Sequence, residues 1–61
     1  MPRVDIGLKA GRTVEQKRAM VREVTKAIAK TVDCPEDAVS ITIYDIKPEN
    51  IGIAGKLPYV D

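Results

Sequence analysis

The chain has no histidine, no tryptophan and no phenylalanine, a single cysteine (Cys34), and almost no imbalance of charge, with ten lysines and arginines against nine acidic residues. Each absence removes a class of function. Without histidine and with one thiol, an internal disulfide, the common metal-ligand sets and the Ser-His-Asp or Cys-His pairs are excluded. A formal net charge of +1 provides no general field to draw in nucleic acid or an anionic membrane. No apolar run approaches the roughly 20 residues of a membrane span, and the N-terminus lacks the apolar stretch of a signal peptide. With a lone cysteine fitting a reducing compartment, the expectation is a cytoplasmic protein with neither nucleic acid nor membrane as a partner. The glycines of Gly52-Ile53-Ala54-Gly55 lack the strand-to-helix setting of a dinucleotide fingerprint, so no cofactor is expected.

What is present is apolar and small. Hydrophobic residues make up 44% of the 61 positions, yet only Tyr44 and Tyr59 are aromatic, so Val, Ile, Leu and Ala must build the core. A single domain of this size buries only about 60% of the surface that its unfolded chain exposes. Small chains make good that deficit with disulfides, a metal or oligomerisation. Only oligomerisation remains here, and the two tyrosines are read as packing or interface residues.

Three elements are legible. Residues 2–8 place Val4, Ile6 and Leu8 on one side and Arg3, Asp5 and Gly7 on the other, the period-2 pattern of a half-buried strand, with Pro2 tolerated at its first position. Thr13-Val14-Glu15-Gln16 has the spacing of a capping box, so a helix is expected from Thr13. Val14, Val21, Val24, Ile28 and Val32 continue it at helical spacing as far as Val32. Its other face carries Arg18, Arg22, Lys26 and Lys30, read as solvated because no aromatic platform for bases accompanies them. After a turn at 33–37, residues 39–46 alternate and are rich in β-branched types, which reads as a second strand. Strand, helix and strand make a right-handed β-α-β unit with parallel strands. Residues 51–57 read as a short hairpin or arm suited to pairing with another subunit, and 57–61 as a loose tail.

Two residues stand out for chemistry. A methionine ahead of proline is ordinarily removed in cells, which would leave Pro2 as a secondary amine at the N-terminus. Such α-amino groups titrate near about 8, and an apolar pocket or a nearby cation lowers that value, producing a general base for neutral pH. Pro2 could equally do no more than blunt a sheet edge. Arg12, after Gly11 at the mouth of the helix, can offer its fork to a carboxylate. A surface ion pair with Glu15 or Glu49 is the other reading.

Met-Pro at the start, Gly11-Arg12-Thr13, Glu15-Gln16-Lys17, the long helix, the β-branched strand and Ile51-Gly52-Ile53-Ala54-Gly55 together resemble the 4-oxalocrotonate tautomerase family over nearly the whole chain. That resemblance implies an α/β (α+β) fold: a β-α-β subunit with a C-terminal hairpin, residues 1–61 forming one domain. It implies dimers with a four-stranded sheet backed by two helices, and three dimers in a hexamer. It also implies a cofactor-independent keto-enol isomerase for small enol or 2-oxo carboxylic acids. Pro2 would be the acid and base at a subunit boundary, and Arg12, Leu8, Ser40, Ile51 and Ile53 would line the substrate site.

Two positions depart from that pattern. Ser40 stands where well-known members have a second arginine, and Ile51 where they have an aromatic wall residue. Ile51 keeps the wall apolar. Ser40 lacks the charge, and doing without one charge-assisted hydrogen bond in the transition state costs roughly 2–4 kcal/mol, or about 30- to 1,000-fold in rate. Weak turnover of the dicarboxylate hydroxymuconate is therefore expected, and a monocarboxylate such as phenylenolpyruvate should be handled better. A dehalogenase or hydratase, or an oligomer that keeps the fold without catalysis, are the alternatives.

Overall fold

The computed structural model describes residues 2–58; Met1 and residues 59–61 of the expected tail, Tyr59 among them, lie outside the described residues. Strand β1 (Arg3–Lys9) leads through a loop to helix α1 (Val14–Val32), and a 3₁₀ turn at Glu36–Ala38 precedes strand β2 (Ser40–Ile46). The strands pair in parallel, with Arg3 beside Ser40, Ile6 beside Ile43 and Leu8 beside Asp45. Backbone bonds extend the ladder at each end: the Ser40 N–H donates to the Pro2 carbonyl at 3.0 Å, and the Ala10 N–H to that of Ile46 at 2.8 Å. The first strand is thus shifted one residue from the expected span, because proline has no N–H to donate but its carbonyl still pairs.

The helix begins where the capping box placed it. The Thr13 hydroxyl accepts from the Gln16 N–H at 3.1 Å, and the Gln16 side-chain oxygen accepts from the Thr13 N–H at 2.9 Å. It ends at Asp33, in the left-handed conformation at φ 63°, with the Cys34 N–H closing onto the Ala29 carbonyl at 3.1 Å. Val21, Val24 and Ile28 are half-buried, as are Val4, Ile6, Leu8, Ile41 and Ile43. The two ends of the expected stripe behave otherwise: Val14 is 57% and Val32 59% exposed. A 19-residue helix is about 28 Å long, whereas seven-residue strands span about 23 Å, so the helix overhangs the sheet.

The opposite face of the sheet, with Arg3, Asp5, Ser40, Thr42 and Tyr44, is exposed. Parallel strands are ordinarily covered on both faces, and here one face has no cover. In consequence no described residue is fully buried. After a 3₁₀ turn at Pro48–Asn50, Ile53 and Lys56 form an antiparallel bridge with N–H to O distances of 3.1 and 3.0 Å. Ala54 (φ 56°) and Gly55 (φ 77°) make the two-residue turn between them. The expected hairpin is present, although its apolar Ile53 is 51% and Leu57 67% exposed. No helix among the described residues is long and apolar enough to cross a membrane.

Candidate active site

The six residues expected at the site fall into three places. Pro2 and Ser40 are joined by their backbone bond at the start of the sheet. Arg3, beside Ser40 in the register, shares its face, and the Arg3 guanidinium lies 3.3 Å from the Asp5 carboxylate. Leu8 and Arg12 meet at the far end, in a cleft of about 200 Å3 that they line with Gln16, Lys17 and Met20. Ile51 and Ile53 belong to the arm after β2 and do not line that cleft. From Pro2 to Leu8 the strand rises by about 20 Å. Within one chain, then, Pro2 is not brought to Arg12.

The cleft is built by the passage from strand to helix. Gly11 turns the chain at φ 118°, a backbone angle at which a side chain is strained. Ala10 is tied to Ile46 on one side of it and Thr13 caps α1 on the other, so Arg12 is held between two fixed points. Among the described residues nothing pairs with the Arg12 guanidinium, and neither Glu15 nor Glu49 does so. A cation without a partner therefore stands at the rim of an apolar floor made by Leu8 and Met20.

Lys17 forms the adjoining wall, its ammonium 2.8 Å from an Asp45 carboxylate oxygen. Asp45 neighbours Leu8 across the sheet and points to the helix side. Gln16, Lys17 and Met20 were not among the residues expected at the site. A signal for Lys17 existed, because it precedes Val21, Val24 and Ile28 on the inward stripe of α1 and is a charge where the pattern calls for an apolar residue. A shallower groove of about 330 Å3 runs along α1 itself, lined by Val14, Lys17, Arg18, Val21 and Arg22.

The family model described as tautomerase enzyme matches residues 2–60. The chain belongs to the tautomerase family. This tautomerase-family chain is 42% identical over 55 residues to a 2-hydroxymuconate tautomerase from Comamonas testosteroni, covering 90% of this chain and 87% of that protein. A 4-oxalocrotonate tautomerase isozyme from Methylibium petroleiphilum superposes on it with a TM-score of 0.90 at 38% identity, covering 93% of this chain and 89% of the other. A heterohexameric 4-oxalocrotonate tautomerase from Chloroflexus aurantiacus J-10-fl does so with a TM-score of 0.89 at 28% identity, over 93% of this chain and 92% of that one. The family fold, one helix against a parallel strand pair, is the one observed.

Proposed function

We propose that the protein is a cofactor-independent keto-enol tautomerase for small enol and 2-oxo carboxylic acids. The observation that carries this reading is the unpaired Arg12 guanidinium at the rim of the apolar Leu8–Met20 floor, in a chain of the tautomerase family. Arg12 holds the substrate carboxylate by a charge-assisted fork. Pro2, freed as the N-terminal secondary amine, accepts the enol hydroxyl proton and returns a proton to the substrate carbon. The carbon-oxygen bond becomes a carbonyl as the carbon-carbon double bond is protonated, and the amine ends the cycle neutral. Proline suits the role because its ring fixes the direction of the nitrogen.

The working site joins Pro2 of one subunit to the Leu8–Arg12 cleft of another, since the two lie about 20 Å apart along a single strand. The assembly is a homo-oligomer, in which dimers with a four-stranded sheet and two helices form a hexamer. The bare sheet face, the exposed arm and the lack of any fully buried residue among those described support this. Ser40 leaves the Pro2 end without the second cation, so monocarboxylate enols are preferred to dicarboxylates. Ile51 and Ile53 supply apolar wall from the arm of a neighbouring chain.

The test is ketonisation of phenylenolpyruvate, followed by the loss of enol absorbance, with the processed wild type against Pro2→Ala. General acid-base catalysis is worth about 10²- to 10⁴-fold, and a loss of at least about 100-fold is expected. Equal rates, close to background, would overturn the reading in favour of a non-catalytic oligomer; halide release or hydration of unsaturated acids at such a rate-deficient site would mark the dehalogenase or hydratase alternative.

A further inference from the structure

Lys17 is held unlike the other cations of α1. Its side chain is 25% exposed, against 62% for Arg22 and 57% for Lys26. The pair with Asp45 at 2.8 Å occupies one of the three ammonium hydrogens and leaves two donors. Those donors belong to a side chain that lines the cleft together with Arg12 and the apolar Leu8 and Met20.

We propose that Lys17 is a second carboxylate-binding residue of this cleft, with Asp45 as the positioning residue that holds the ammonium at the wall and tempers its charge. The inference rests on the tautomerase reading only in taking a carboxylate as the group bound by Arg12. Two cations and one adjacent carboxylate leave the cleft with a single net positive charge. That balance matches a monoanionic carboxylate end on an apolar body better than a dianionic phosphorylated acid.

The probe is cinnamate, a monocarboxylate with an apolar body and no enol to convert, titrated into the assembled protein by NMR. Lys17→Met is expected to weaken its Kd about 10-fold, the usual worth of a charge-assisted hydrogen bond, and Lys17→Arg to recover most of that. Asp45→Asn is expected to tighten binding about threefold, because it removes a negative charge close to the bound anion. A pair that only clamps α1 to β2 would move both variants in the same direction. An unchanged Kd in Lys17→Met, or weaker binding in Asp45→Asn, overturns the proposal. If Lys17→Met does not fold, the sign of the Asp45→Asn change decides alone. With phenylenolpyruvate the Lys17→Met loss should fall on KM more than on kcat. Cinnamate binding involves no chemical step, so failure here shows in Kd, whereas failure of the tautomerase reading shows in the Pro2→Ala rate.

Discussion

At residue 40 the sheet presents a hydroxymethyl group beside Arg3 and next to the Pro2 backbone. The Arg3 guanidinium is turned to Asp5 and 69% exposed, so it is screened by water and partly neutralised. Ser40→Arg would add a second cation to that face. Its expected effect is a rise of about 10-fold or more in kcat/KM for 2-hydroxymuconate, the worth of one charge-assisted hydrogen bond, with a smaller change for phenylenolpyruvate. Comparing the two substrates in one preparation checks this, because a general loss of folding lowers both rates together. Pro2 and Arg12 were conspicuous in the sequence because each is chemically distinctive and sits beside a break in pattern. Lys17 was marked only as a charge on the inward stripe of α1, and its role stayed hidden until the strand opposite it, and Asp45 on that strand, were in place.

Among the elements, the loop from β1 to α1 has the narrowest tolerance. Gly11 at φ 118° occupies backbone space that side chains enter at a cost of about 1–3 kcal/mol. Gly11→Ala should lower stability against urea by that amount and raise KM for phenylenolpyruvate, because relieving the strain moves Arg12 away from Leu8. A cap defect that left Arg12 in place would lower the urea midpoint alone. The helix was legible from local signals: a capping box and a pattern unbroken to Val32, all within the segment itself. The exposure of Val14 and Val32 was not, because it depends on the length of the helix relative to the sheet it crosses. The same holds for the cleft, whose lining comes from residues 8 to 20 only after the chain has turned at Gly11.

For the whole molecule, the proposed roles of Pro2 and Arg12, set about 20 Å apart along the strand, make assembly part of the proposed chemistry. Pro2→Ala and Arg12→Gln chains, each nearly inactive alone, should regain activity when unfolded together and reassembled. Random mixing of equal amounts in a closed oligomer that draws the two residues from different subunits restores about a quarter of the sites. Recovery at that level in the phenylenolpyruvate assay, against none for either chain refolded by itself, is the expected result; no recovery would mean that both residues serve from one chain. The sequence pointed to an oligomer through its thin core, and the resemblance implied a site at a subunit boundary; that Pro2 and the Leu8–Arg12 cleft lie at opposite ends of β1 appears only in the fold.

That division also bears on how such a protein can diversify. When the base and the acid-binding cleft lie at opposite ends of one strand, a duplicated gene can alter one end while its sister keeps the other. Neither copy then passes through a stage in which every site is lost, and specialisation can proceed by sharing labour between unlike chains.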